Sequence, residues 1–141
     1  MKEKEQTRVV IIDDHPLVRD AMRQLIEEDS TISVVGAVER AADALACLER
    51  CEPDIVLLDL ELRGDDGLVL LREIRARFAS LPVLIVSMHS ESIFAKTAFG
   101  HGANGYLMKS VVAEHIFEAI AQLLRGETYS SDEVTSGLLE R

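Results

Sequence analysis

The sequence predicts an α/β fold in which five parallel strands alternate with five helices. Three observations lead there. Short Val- and Ile-rich runs alternate with longer amphipathic stretches from one end of the chain to the other. One run, Ile55–Leu58, is apolar at every position, as expected of a central strand covered on both faces. Four of the five runs end on a polar side chain, the pattern of an open parallel sheet whose ligands sit outside the carboxyl ends of its strands. At 141 residues and 48% hydrophobic, the chain is long and apolar enough for one domain with a real core.

Arg8–Ile12 is the first strand, and Leu17, Ala21, Met22, Leu25 and Ile26 follow at helical spacing. Ile32–Val38 is the second strand, and Ala41, Leu45 and Leu48 mark the next helix. After Ile55–Leu58, the residues Leu68, Leu71, Ile74 and Phe78 give a third helix. Val83–Val86 follows Pro82 and ends at Ser87, and Ile93–Phe99 makes a shorter fourth helix. Gly105–Met108 is the last strand, closed by Lys109, and Ile116, Ile120, Leu123 and Leu124 line the fifth helix. Each right-handed crossover returns the chain to begin another parallel strand, so helices cover both faces of the sheet.

Charge narrows the function. Twenty-five acids against fifteen Lys plus Arg give a net charge of −10, the wrong balance for direct nucleic acid binding by this chain. The apolar runs fall far below the roughly 20 residues of a spanning helix, and the charged segment from Met1 to Arg8 has no signal-peptide pattern, so a cytoplasmic location and no membrane association are expected. Cys47 and Cys51 read as small hydrophobes in a reducing compartment, and the four histidines have no zinc-ligand spacing.

The strand ends carry the chemistry: Asp13 and Asp14, Asp59, Ser87 and Lys109. Singly, each has an ordinary structural role. Asp14 before His15-Pro16 reads as a helix cap, Asp59 as a turn opener before Gly64-Asp65-Asp66-Gly67, Ser87 as a cap of the fourth helix and Lys109 as a surface lysine. Together they converge three carboxylates, and at ~4 Å with an effective dielectric of ~20 each like-charged pair costs about 4 kcal/mol. A hard divalent cation such as Mg²⁺ answers that charge, and Lys109 supplies a second cation where a phosphate can dock. Carboxylates, metal, lysine and hydroxyl make a phosphoryl-transfer set, with Asp59 the candidate acceptor at the end of the most buried strand. Neither a GxxxxGKS loop nor a GxGxxG after the first strand is present, which speaks against nucleotide binding.

Four pieces in this order and spacing have a family likeness: Val9-Val10-Ile11-Ile12-Asp13-Asp14-His15-Pro16, Asp59 with Gly67 eight residues on, Ile85-Val86-Ser87, and Gly105-Tyr106-Leu107-Met108-Lys109. Over roughly residues 8–126 the chain resembles the receiver domain of bacterial two-component response regulators. That resemblance implies a (βα)5 flavodoxin-like three-layer sandwich with a five-stranded sheet of order 2-1-3-4-5. It implies that Asp59 takes the phosphoryl group of a sensor histidine kinase. Asp14, Asp59 and the backbone carbonyl of Glu61 would be Mg²⁺ ligands, with Asp13 acting through water. Lys109 and Ser87 would hold the phosphoryl group, and Tyr106 would turn inward as the switch. Phosphorylation would then change the face made by the fourth helix, the last strand and the fifth helix.

Two departures stand out. Leu62-Arg63 occupies the place of the Met-Pro of many receivers, which changes loop stiffness and adds a cation near the site, and Ser110 replaces a common proline after Lys109. With Gly-Glu-Thr-Tyr-Ser-Ser near the end, the chain is similar to the subfamily with a LuxR-type helix-turn-helix output. Residues 1–7 then form a tail, 8–126 the receiver and 127–141 a linker to a C-terminal DNA-binding domain, with a homodimer as a further expectation. Ser130-Ser131-Asp132-Glu133 has the spacing of a capping box that would start the linker helix. Two other functions fit parts of the pattern: a phosphorylation-independent interaction module, and an aspartyl-phosphate phosphatase of the haloacid-dehalogenase type. The phosphatase family has Asp-x-Asp after its first strand, whereas here the two acids are adjacent.

Overall fold

The computed structural model describes residues 6–130. The main sheet contains β1 (Thr7–Ile12), β2 (Ile32–Val38), β3 (Ile55–Leu58), β6 (Val83–Ser87), β7 (Gly105–Met108) and β8 (Tyr129–Ser130), all parallel, in the order β2-β1-β3-β6-β7-β8. The five expected strands thus stand in the expected order, and the sheet has six strands rather than five. The sixth escaped notice because a two-residue strand has no periodicity. It belongs to the sheet because Tyr129 is buried and its N–H donates to Asn104 O at 3.0 Å. It lies in the stretch read as linker. Ser130 is the last residue of β8, and the rest of the expected capping box lies outside the described residues.

Five helices connect the strands: α1 (Pro16–Ile26), α2 (Ala41–Cys51), α3 (Gly67–Arg77), α4 (Glu91–Gly100) and α5 (Val112–Leu124), the last entered through a single 3-10 turn at Lys109–Val111. Alternation along β1 sorts them. Val9 and Ile11 face a core filled by α1 and α5, while Val10 and Ile12 face the core filled by α2, α3 and α4. Helix α4 is less amphipathic than its sequence suggests: Ile93 is exposed, and the buried positions are Glu91, Ala95 and Ala98. Cys47 and Cys51 are free and buried, and burial first, then the Cys51 neighbour, pushes the Cys47 thiol up to about 11.

Between β3 and α3 the chain forms an antiparallel hairpin, β4 (Glu61–Leu62) with β5 (Asp65–Asp66), where the sequence suggests only a turn. Gly64 takes φ 76° at its tip, a conformation glycine reaches without steric cost. Leu62 is buried as its anchor. Asp65 Oδ2 accepts the N–H of Ala41 at 3.2 Å, and Asp66 caps α3 by accepting from Leu68 N at 2.9 Å. The hairpin closes where Gly67 N donates to Leu60 O at 3.1 Å. A Cβ on Gly67 would lie 2.4 Å from that same oxygen, so only glycine fits without moving backbone. Gly67→Ala is therefore expected to destabilise the domain by about 1–3 kcal/mol, read as a lower urea midpoint at unchanged m-value.

Candidate functional site

Strand register brings the acidic residues together. Asp13 follows β1 and donates its N–H to Val38 O at 3.0 Å; Asp59 follows β3 and donates to Ile12 O at 2.9 Å. Both therefore leave adjacent strands at the same level of the sheet. Asp13, Asp14 and Asp59 are 1%, 9% and 3% exposed. One ligand atom from each, together with one from His15, lies within 4.8 Å of the others.

Lys109 is the buried cation opposite them. Its Nζ lies 3.0 Å from Asp59 Oδ2, to which it donates, and 2.9 Å from Asp13 Oδ2. Burial alone would lower the Lys109 pKa, but the Asp13 and Asp59 carboxylates outweigh it and hold the ammonium above its ordinary value. Asp59 shows the opposite balance. Burial pushes its carboxyl above the ordinary value, against the pull of Lys109 and of Glu61 N, which donates to Oδ1 at 3.1 Å. Asp14 Oδ2 accepts from Arg63 N at 2.5 Å. Asp13 Oδ2 and Asp14 Oδ1 are buried and accept no backbone N–H; their polar neighbours are Lys109 Nζ at 2.9 Å and His15 Nδ1 at 3.0 Å.

The other predicted residues form a second layer. Ser87 is fully buried at the end of β6, and its Oγ accepts from His89 N at 3.1 Å. Tyr106 in β7 is fully buried, already turned inward, and its hydroxyl donates to His89 O at 3.1 Å. Burial lifts the Tyr106 hydroxyl above its ordinary value. Glu61 stands in β4, with its amide on Asp59 and its carboxylate Oε1 2.5 Å from His89 Nε2.

All seven predicted site residues thus gather at one edge of the sheet. Two ordinary readings are replaced: His15 rather than Asp14 occupies the cap of α1, with Pro16 in its first turn, and Ser90 rather than Ser87 occupies the cap of α4. Lys109 is buried, not a surface lysine.

Two histidines that no motif in the sequence singles out also join the site. His15 Nδ1 lies 3.1 Å from Asp13 Oδ1 and 3.0 Å from Asp14 Oδ1, with its side chain half exposed. Its signal was direct attachment to the acidic pair. His89 joins Glu61, Ser87 and Tyr106, and its ring packs against Phe94 with centroids 4.6 Å apart. Nothing in its spacing announces that role.

A buried acidic cluster at the carboxyl edge of a parallel sheet, faced by one lysine, gives this α/β protein a group of oxygen ligands that could hold a metal ion. Residues 9–136 match the model of the response regulator receiver domain, and the chain belongs to that family of signalling proteins. It is similar to the nitrate/nitrite response regulator protein NarL of Escherichia coli (strain K12), with 35% identity over 96% of this chain and 62% of that one. Its fold matches a LuxR-family two-component response regulator from Aurantimonas sp. SI85-9A1 with a TM-score of 0.88 and 35% identity, covering 96% of this chain and 97% of that one. It also matches RcsB in a structure of two dimers bound to DNA, with a TM-score of 0.84 and 27% identity over 96% of this chain and 69% of that chain. The chain spans 62–66% of the length of the first curated relatives it matches. No helix among the described residues is long and apolar enough to cross a membrane.

Burial of the Asp59 carboxyl sets a pH dependence. Because the folded pKa of Asp59 lies above its ordinary 3.8, folding takes up a proton between those two values. The Asp59 charge therefore weakens the fold at neutral pH, and the penalty disappears as pH falls through the folded pKa toward the unfolded one. Asp59→Asn is expected to melt above wild type at pH 7, with the two melting temperatures converging below about pH 4.

Proposed function

We propose that this chain is the phosphorylatable receiver of a transcriptional response regulator, accepting a phosphoryl group on Asp59 from a sensor histidine kinase. The observation that carries the reading is the Asp59 carboxylate, held by Lys109 Nζ and Glu61 N, with ligand atoms of the buried Asp13 and Asp14 carboxylates within 4.8 Å of it. Those hard oxygen donors fit Mg²⁺. Asp14, Asp59 and the backbone carbonyl of Glu61 would hold the ion directly, and Asp13 through water. When bound, the ion neutralises carboxylate and phosphoryl charge together.

In the transfer, an Asp59 carboxylate oxygen attacks phosphorus as the P–N bond of the donor phosphohistidine breaks. The product is an aspartyl phosphate, and the electron pair leaves with the imidazole, which is protonated. Lys109 moves its attraction from the Asp59 carboxylate to the arriving phosphoryl oxygens, and Ser87 donates its hydroxyl to another of them. Tyr106, already inside, retains its place through the His89 carbonyl as Ser87 changes partner. The chain carries out its own phosphorylation and dephosphorylation and turns over no separate substrate.

The LuxR-family likeness and the DNA-bound RcsB dimers support an output through a C-terminal DNA-binding domain and a homodimer, and a cytoplasmic location is part of the same proposal. The assignment of residues 8–126 to the receiver and 127–141 to a linker belongs to the same proposal.

Incubation with acetyl phosphate and Mg²⁺ should add the mass of one phosphoryl group, and Asp59→Asn should abolish the addition; an undiminished shift in that variant would remove Asp59 from its role. Mg²⁺ alone should raise the melting temperature of the wild type by selective binding to the folded state, and Asp14→Asn should lose most of that rise. Amide exchange around Ser87–Met108 should differ with and without a phosphate mimic. Identical exchange would break the proposed link between the site and the α4–β7–α5 face.

A further inference from the structure

The hairpin after the acceptor holds a residue that the transfer chemistry leaves unused. An open groove of about 730 Å³ runs past the site, lined among others by Asp14, Glu61, Arg63, Asp65 and Asp66. Four of those five are acids. Arg63 is the one permanently charged cation among the described residues lining it. A phosphodonor is itself anionic, so its approach to this groove meets net repulsion that Lys109 does little to relieve. That ammonium is 8% exposed and already lies between Asp13 and Asp59.

Arg63 is placed to answer this. Its side chain is 84% exposed, and its Nε lies 4.0 Å from Asp14 Oδ2, a loose contact in solvent that costs little to exchange for another anion. Its backbone, by contrast, is held firmly. Arg63 N donates to Asp14 Oδ2, Leu62 beside it is buried, Gly64 completes the tip, and Asp65 fastens the far strand to the N-terminus of α2. A mobile guanidinium on a fixed hairpin tip, one residue contact from the acidic cluster, is suited to fork-like pairing with phosphoryl oxygens.

We propose that Arg63 is the donor-recognising residue of the site, pairing with the phosphoryl oxygens of an incoming phosphodonor before transfer to Asp59. This rests on the reading of Asp59 as phosphoacceptor. The chemistry is unchanged: with acetyl phosphate, the Asp59 oxygen–phosphorus bond forms, the bond from phosphorus to the acetyl oxygen breaks, and acetate leaves with the electron pair. Arg63 acts on encounter and orientation, so its removal falls on donor affinity rather than on the transfer step.

The test is the rate of phosphorylation against acetyl phosphate concentration at fixed Mg²⁺ for wild type, Arg63→Ala and Arg63→Lys. Arg63→Ala should raise the half-saturating concentration about fivefold or more while the limiting rate stays within about twofold, and Arg63→Lys should recover part of the loss through its retained charge. Added salt should raise the wild-type half-saturation, whereas that of Arg63→Ala should fall as the remaining repulsion is screened. Melting temperature should not change, because the side chain is exposed and the backbone bond to Asp14 survives either substitution. A half-saturation equal to wild type, or a fall confined to the limiting rate, would overturn the role of Arg63 while leaving Asp59 as acceptor. A wild-type chain that takes no phosphoryl group at all would overturn the acceptor reading and this inference with it.

Discussion

The structure depends on an unequal charge count at one edge of a sheet. Asp13, Asp14 and Asp59 are buried within a few ångströms of one another, and Lys109 is the buried cation that faces them. Buried like charges repel strongly, and leaving a buried ion without a partner costs more than any surface contact returns. The fold tolerates this because the carboxylates have no freedom to separate. Asp13 and Asp59 leave β1 and β3 next to each other with their own amides fixed in the ladder, and Asp14 is fastened to the amide of Arg63. Rigidity in the sheet therefore keeps three carboxylates together, an arrangement whose charge a bound cation would offset.

Lys109 shows how stability and function share one side chain. Its ammonium is buried between Asp13 and Asp59, and those two carboxylates raise its pKa despite the burial. It offsets the repulsion among the carboxylates and, in the proposed function, would also meet the phosphoryl group. A free surface lysine would serve only the second purpose, and it would lose rotamer freedom each time it bound.

Much of this is legible in the residues. Strand-length apolar runs alternating with amphipathic stretches yield the five strands and the five helices along the chain, the order of strands in the sheet follows only from the family resemblance, and the polar residues after the runs are Asp13, Asp14, Asp59, Ser87 and Lys109. What stays hidden has no local period. The β4–β5 hairpin and β8 are two residues per strand, and the hairpin exists through remote contacts: Leu62 in the core, Asp65 on Ala41, Gly67 under Leu60. In α4 the helix turns Ile93 to solvent and buries alanines, so its apolar residues mark its existence but not its inner face. His89 was missed for a related reason. Its importance lies in a ring that reaches Glu61 and a backbone that meets Ser87 and Tyr106, and none of these is near it in a helical or strand period.

His89 also defines how far a change at Asp59 can travel. Glu61 binds Asp59 through its amide and His89 through its carboxylate, while Ser87 and Tyr106 bind opposite ends of the His89 backbone unit. The acceptor loop, the end of β6 and the interior of β7 are thus joined at one residue, immediately before α4. On the other side of that helix start, Glu91 is buried and meets the hydroxyl of Ser130 in β8. A rearrangement of Ser87 toward a phosphoryl group must pull on the His89 amide. It cannot do so without disturbing either the Tyr106 hydroxyl bond or the Glu61 contact, because both are made by the same short loop. The start of α4 then either follows or loses its packing, and β8 is attached to that start through Ser130. Close packing makes such a loop adopt discrete arrangements rather than intermediate ones, which lets a charge change at one carboxylate be read at the edge of the sheet.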